Sequence, residues 1–442
     1  KTVNWSKRCQ EDLAYVKDIL YKNAPEVLDH ESTFMQQLGK GYQKAQKSCQ
    51  SITSKAGYYY VMQAYFHGFN DPHISVHQRE STWFQDVPVY DAGIKMAYQD
   101  GHYVVLGNTN KNHNLPLGSR LVDCDKVPIK QFVEENLMPY YGVISTSYAA
   151  EDLAHFIFFD KNPLRSYPKS CRFSYKGNMQ TVKITYQKRP DEARFFPLNL
   201  LYQAKQGFGL STFGENGLWI FLPAMKVNRF TNWLGHFGHT MRAFKPLVID
   251  LRGNSGGSDK VWANLMENIL GISTEQRYQF YAKSEQMRLT PLNLSAPLSL
   301  IDDYKTAYKK HQIWEPEKPI KRKPIYLDPN QIAYKGPLYL LTDRYCMSAC
   351  LNFLDFAHHL PHTYLIGQDT KADTLYGEVH QINLGPFLRM QYPMKAMRFR
   401  ERGSLVPYKV QYRFNGDMSN TKALKSWVLS LPPSKAITQN KK

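Results

Sequence analysis

Ser348 stands in Thr-Asp-Arg-Tyr-Cys-Met-Ser-Ala-Cys-Leu-Asn-Phe-Leu, residues 342–354. An apolar run, Pro337 to Leu341, precedes it, and a helix-like pattern with Leu351, Phe353, Leu354 and Phe356 apolar follows. The spacing predicts a serine at the point where a buried strand turns into a helix. N–H groups at a helix start have no partner within the helix and carry partial positive charge. A serine held there can attack a carbonyl while the N–H groups after it stabilise the oxyanion. Most serines before helices are simply caps, so this stretch needs company before it implies chemistry.

Two further stretches supply it. Lys245 to Gly257 reads Lys-Pro-Leu-Val-Ile-Asp-Leu-Arg-Gly-Asn-Ser-Gly-Gly. A β-branched core strand, Leu247 to Leu251, ends there in Arg252 and a glycine-rich turn, with a helix predicted from Asp259 to Leu270. Gly256 and Gly257 let the backbone approach a ligand closely, their N–H groups pointing at it. The other stretch is Phe69-Asn70-Asp71-Pro72-His73-Ile74-Ser75-Val76, between a helical run ending near Phe66 and an alternating strand. His73 is the type of general base that a serine nucleophile needs.

Together these stretches resemble the C-terminal-processing (tail-specific) serine protease family over most of the chain. The family's Asp-x-His element matches Asp71 and His73. Its strand ending Asp-x-Arg-x-Asn-x-Gly-Gly matches Asp250, Arg252, Asn254, Gly256 and Gly257. Its nucleophile motif, serine then alanine at a helix start, matches Ser348 and Ala349. In one branch of the family a lysine is the base; that position falls on Asp373 here, and Lys371 is the fallback. The tricorn-like branch uses histidine and a later glutamate. The resemblance therefore implies Ser348 as nucleophile, His73 as base and Glu401 as third catalytic group, with Glu378 the competing carboxylate. It implies an oxyanion hole from Gly256 or Gly257 together with Ala349. The expected reaction is hydrolysis of peptide bonds through an acyl-enzyme, on polypeptide substrates whose C-terminal tails are selected. The alternative is a catalytically inert member that binds a peptide or apolar ligand.

No metal or organic cofactor is expected. Among the 14 histidines no His-Glu-x-x-His spacing occurs, and there is no Cys-x-x-Cys. His358 and His359 are adjacent and would splay apart on a helix, as surface or domain-contact residues. Cys346 and Cys350 flank Ser348, and either thiol is an alternative nucleophile. The six cysteines suit disulfides in an exported protein; Cys9 with Cys49 and Cys124 with Cys171 are the expected pairs. The chain starts at Lys1, as a trimmed, exported chain would, with its signal peptide removed. The net charge is +18, with lysines and arginines spread along the chain. The densest run, Lys318 to Pro324, sits among prolines, and no nucleic-acid-binding motif accompanies it. A nucleic-acid partner is therefore not expected. A hydrophobic content of 43% supports real cores, yet no run of about 18 apolar residues suggests a membrane span.

Three regions must position these residues in an α/β multidomain fold. Residues 1–90 read as helical, with Leu13, Val16, Ile19 and Leu20 on one stripe, and end in the Asp-x-His element. Residues 91–190 alternate as strands. Leu115 to Asp125 resembles the Leu-x-x-Gly-Asp-x-Ile-x-x-Ile-Asp-Gly segment of a PDZ domain, with Ser119 in place of the aspartate and Lys126 in place of the last glycine, Thr181 to Tyr186 as closing strand and an insertion over 138–170. Such a domain captures an extended peptide at a sheet edge. Residues 195–442 read as the α/β catalytic domain, a mixed sheet with βαβ crossovers. A segment of about 275–335 is expected as an insertion near its cleft, a candidate lid.

Overall fold

The computed structural model describes residues 3–111, 113–141, 149–189, 207–272, 285–298, 300–319 and 328–432. The fold is mixed α/β and divides into two compact units, each assembled from three stretches of chain. The first holds Lys1–Pro197, Met287–Glu315 and Tyr376–Ala396; the second holds Leu198–Gln286, Pro316–Leu375 and Met397–Lys442.

The second unit is built on a six-stranded sheet. Gly209–Phe213 pairs antiparallel with Gly217–Phe221, and from there Leu247–Asp250, Leu338–Thr342, Thr363–Gly367 and Tyr412–Arg413 follow in parallel. Arg229–Phe237 lies in the first crossover, and Asp259–Leu270 and Ala349–Ala357 are the crossover helices on either side of the Leu338–Thr342 strand. Alternation along the strands explains the layering, since successive side chains point to opposite faces. Leu218, Ile220, Leu247, Ile249, Leu338 and Leu340 face one core with both crossover helices. Trp219, Val248, Tyr339, Leu341 and Ile366 face the other, closed by Leu424 and Val428 of the Thr421–Ser430 helix. Strands buried on both faces read as continuous apolar runs, which is why Leu247 to Leu251 was legible as a core strand. Trp262 packs against Phe353 and Phe356 at ring-centroid distances of 5.7 and 5.4 Å, locking the two crossover helices together.

In the first unit, the helices Trp5–Asn23, Tyr42–Ser51 and Lys55–His67 bury Leu13, Val16, Leu20, Tyr58, Val61 and Met62 in a common core. The Cys9–Cys49 disulfide ties the first two. A separate antiparallel sheet orders Ile94–Gln99, His102–Asn108, Arg120–Cys124, Ser170–Tyr175 and Asn178–Lys183. Cys124 and Cys171 are register partners in it and form the second disulfide. The Ile129–Asn136 helix buries Phe132 and Val133 in its core.

Two stretches sit elsewhere than the sequence suggested. Residues 287–315, expected as an insertion of the catalytic region, belong to the first unit. Met287, Leu289, Ala296, Tyr304 and Ala307 join the core of its helices, so the segment is bound by its own apolar side chains rather than poised as a lid. Residues 376–396 also belong to the first unit: Tyr376–Leu384 and Leu388–Met397 form a hairpin, and the latter strand pairs with Ser75–Gln78 after His73. Part of the basic run 318–324 lies outside the described residues.

Candidate active site

The carboxyl ends of the parallel strands carry two loops, the place where open α/β sheets bind ligands. One follows Leu247–Asp250. The Arg252 guanidinium donates from Nε to Asp250 Oδ1 at 2.8 Å, and Trp219 Nε1 donates to Asp250 Oδ2 at 2.9 Å. Arg252 and Asp250 are both buried, and the remaining guanidinium nitrogens donate to the Met418 carbonyl and to Thr421 Oγ1. A buried ion pair is tolerated when further hydrogen bonds satisfy its atoms, and here it pins the strand end from which the glycine turn departs.

Asn254 then organises that turn. Its Nδ2 donates to the Leu222 carbonyl at 2.8 Å, its Oδ1 accepts from the Gly256 N–H at 2.9 Å, and its carbonyl accepts from the Met347 N–H at 3.3 Å. Asp343 supports both loops from below, accepting from the Gly253 N–H at 2.8 Å and the Tyr345 N–H at 2.9 Å. Burial pushes the Asp343 carboxyl up to about 6, against the pull of those two N–H groups.

The second loop carries Ser348, which caps the Ala349–Ala357 helix with φ 56° and ψ −124°. Positive φ is rare for a residue with a Cβ and costs on the order of 1–3 kcal/mol, held only where the surroundings over-determine it. Those surroundings are visible. Cys346 and Cys350, both fully buried, form a disulfide that brackets the serine, so neither is a free thiol nucleophile. Gly256, at φ +103°, lies so close that a Cβ on it would fall 2.8 Å from Ser348 Cβ and from the Met347 carbonyl oxygen, and 3.0 Å from the Ala349 nitrogen. The glycine turn and the serine loop are thus in van der Waals contact. Ser348 makes no side-chain capping bond to its own helix. A sharp strand-to-helix turn that presents a serine this way suits nucleophilic attack.

Of the expected oxyanion donors, Gly256 is already engaged through its N–H to Asn254 Oδ1. Among the described residues, the N–H groups of Gly257 and Ala349 have no hydrogen-bond partner. Gly257 is held at φ +133° against the Met225 backbone, where a Cβ would fall 2.3 Å from the Met225 oxygen. Asp373, at the position of a lysine base, is buried and bound by Arg400 and Arg402 at 3.1 and 2.9 Å.

His73 belongs to the first unit, in the turn between the Lys55–His67 helix and the Ser75–Gln78 strand. Asp71 Oδ1 accepts from the His73 backbone N–H at 2.7 Å and lies 3.4 Å from His73 Nδ1. Both are buried. Glu26 lies close to Asp71; burial, then the charge of Asp71, pushes the Glu26 carboxyl well above the usual carboxylate range. Neither Glu26 oxygen has a hydrogen-bond partner among the described residues.

Glu401 is placed away from Ser348. Its Oε2 lies 3.1 Å from His359 Nε2 and 4.0 Å from His358 Nε2. His358 caps the far end of the nine-residue helix that Ser348 begins, and the ten residue steps between them span about 15 Å. A carboxylate in a catalytic triad must reach the base that touches the nucleophile, so the expected third role does not fit Glu401. The two histidines do not splay apart either: the second lies beyond the last helical turn, and their ring centroids are 3.7 Å apart. Glu378 is in the first unit, 3.4 Å from Lys395 Nζ. The sequence reading gave no role to Asn254 or Asp343 and left Cys346 and Cys350 unpaired. Asn254 stood in the quoted motif, but its partner Leu222 and the Gly253 partner of Asp343 come from other strand ends, and the two cysteines pair with each other across the turn.

Among solved structures, mature CPAF is similar at 13% identity, over 97% of this chain and 97% of its own, with a TM-score of 0.60. Mature CPAF complexed with lactacystin is similar at 13% identity over 98% of each chain, with a TM-score of 0.58. At that identity the likeness is one of fold. No curated protein sequence matches the chain. No helix among the described residues is long and apolar enough to cross a membrane. Residues 218–411, which include both loops described above, match the model of Peptidase family S41. The chain is a serine-type peptidase whose residues 218–411 match that family.

Proposed function

We propose that the chain is an exported endopeptidase in which Ser348 is the nucleophile and His73 the base. His73 takes the Ser348 proton as Oγ attacks a peptide carbonyl. The Gly257 and Ala349 N–H groups hold the oxyanion. His73 then protonates the leaving amine, and water releases the acyl group by the reverse sequence. Asp71, against His73 Nδ1, is the carboxylate that orients the ring and stabilises its cationic form. The observation that carries this reading is Ser348 held at positive φ over a helix start whose first N–H has no partner among the described residues.

Export is supported by the cysteines, all six of which are paired, a pattern of oxidising compartments. Selection of substrate tails is supported by the Asn178–Lys183 strand, an exposed edge of the antiparallel sheet over residues 94–183, which can accept an extended peptide as a further strand. The substrates are polypeptides, and no cofactor enters the reaction.

The test is casein hydrolysis by the wild-type chain, Ser348→Ala, His73→Ala and Lys371→Ala, with fluorophosphonate labelling of each. Activity is expected to fall by several orders of magnitude in the first two, since such groups act as a unit, and to survive in the third. If the wild-type chain neither cuts casein nor takes the label at Ser348, the inert ligand-binding alternative replaces this reading.

A further inference from the structure

The far end of the nucleophile helix gathers a second cluster that peptide hydrolysis does not use. His358, His359 and Glu401 each offer one ligand atom, and the three atoms lie within 4.8 Å of one another. We propose that they form a binding site for a divalent transition-metal ion of the zinc type, through His358 Nε2, His359 Nε2 and a Glu401 carboxylate oxygen.

Four observations carry this. The separations suit a shared ion: Glu401 Oε2 lies 3.1 and 4.0 Å from the two Nε2 atoms, and neighbouring ligands of tetrahedral zinc, each about 2.0–2.2 Å from the metal, sit about 3.3 Å apart. The tautomer of His358 is set correctly. Its Nδ1 lies 3.1 Å from the Leu354 carbonyl and donates to it, which leaves the lone pair on Nε2. An imidazole whose other nitrogen is held by a backbone carbonyl is the usual form of a metal-ligating histidine. The cluster also sits at a helix C-terminus, where unpaired carbonyls favour a cation. Finally, the nearby guanidinium does not compete. Arg402 is committed to Asp355 at 2.9 Å and Asp373 at 2.9 Å, and Tyr408 Oη donates to Asp355 at 2.7 Å.

Side-chain exposures of 34%, 26% and 59% for His358, His359 and Glu401 leave room for an ion to enter and for water to complete its coordination. Two histidines and one glutamate with an open position is a set that zinc accepts, and copper and nickel accept imidazole as well. Bound there, the ion would join the helix that begins at Ser348 to the loop that carries Glu401 and Arg402. It would brace that loop without touching the reacting atoms.

The site is tested on the intact chain carrying Ser348→Ala, so that metal binding is read whether or not the peptidase mechanism holds. Zinc chloride is titrated calorimetrically, and cobalt(II) is titrated by visible absorption. The expected result is one zinc per chain, cobalt absorption of tetrahedral intensity, and a higher thermal midpoint with metal. His358→Ala, His359→Ala and Glu401→Gln should each weaken zinc by about 10–100-fold or more, whereas substitution of His239, exposed in the Gly238–Ala243 helical turn, by alanine (His239→Ala) should leave it unchanged. Each variant's metal-free thermal midpoint establishes that it is folded, and Glu401→Gln keeps the side-chain shape should a histidine variant fail. Absence of zinc uptake, or uptake unaltered in Glu401→Gln and either folded histidine variant, would overturn the proposal.

Discussion

Gly256 shows how much of the chemistry depends on one missing atom. It donates its N–H to Asn254 while its Cα presses on the serine loop. An alanine there needs positive φ and a Cβ 2.8 Å from both Ser348 Cβ and the Met347 oxygen. Those neighbours are backbone or stiff, so the serine loop must move. A displacement near 1 Å in a catalytic group costs about a hundredfold in rate. Gly256→Ala is therefore expected to lower kcat by about that factor while the circular dichroism spectrum stays that of the wild type. A kcat within a few-fold of wild type would show that the loop contact does not position the nucleophile. At this scale the sequence was legible where a motif stated a local need: the strand-to-helix turn that carries Ser348 and the glycine turn against it follow from residue type and neighbours. Glu401 misled because glutamate is common in loops, and only the path of the chain shows that it stands at the wrong end of a helix.

Between residues and molecule stands the strand–serine–helix element, whose strained turn is maintained by covalent and packing constraints together. The Cys346–Cys350 disulfide spans the serine with a sequence separation of 4. Closing so short a loop contributes only about 2 kcal/mol through the unfolded chain, so its larger effect is on the turn it encloses. The helix that follows is buried almost all round, through Ala349, Cys350, Leu351, Phe353, Leu354, Phe356 and Ala357, and holds its position without the bridge. The double variant Cys346→Ala/Cys350→Ala is thus expected to remain folded, with stability reduced by about 2 kcal/mol and fluorophosphonate labelling of Ser348 slowed at least tenfold. Equal losses in a control that truncates a helix residue by the same stability would mean that the bridge acts on stability alone. The element was well read from sequence: the helix Asp259–Leu270 and the start of the serine helix follow from apolar spacing. The bridge was missed because two cysteines beside a serine read equally well as buried or reactive, and pairing depends on the turn's geometry.

Across the whole molecule, segment order hides which stretches pack together. Residues 287–315 and 376–396 lie between pieces of the catalytic unit in sequence yet belong to the other unit. Their apolar residues, Met287 and Met390 among them, mark them as core but cannot say of which core, because hydrophobic burial is non-directional. What periodicity supplied was the type of each element, and what it withheld was partnership. The same interleaving makes the catalytic unit depend on loops joined from distant strands, and Asp343 is the buried charge at their junction. Its carboxyl has a pKa near 4 when exposed and is pushed up to about 6 by burial in the fold. Between those values the folded chain keeps a proton that the unfolded chain has released. Stability contributed by this group is therefore complete below about pH 4 and lost as pH rises through about 6, an effect of about 3 kcal/mol by linkage. Asp343→Asn retains one acceptor for Gly253 or Tyr345 and cannot titrate. Urea denaturation from pH 4 to 7 is expected to show the variant less stable than wild type at pH 4, with the gap narrowing by several kcal/mol toward pH 7. A gap that stays constant over that range would mean that Asp343 holds no proton that the unfolded chain gives up, and that its two N–H donors keep it ionised in spite of its burial.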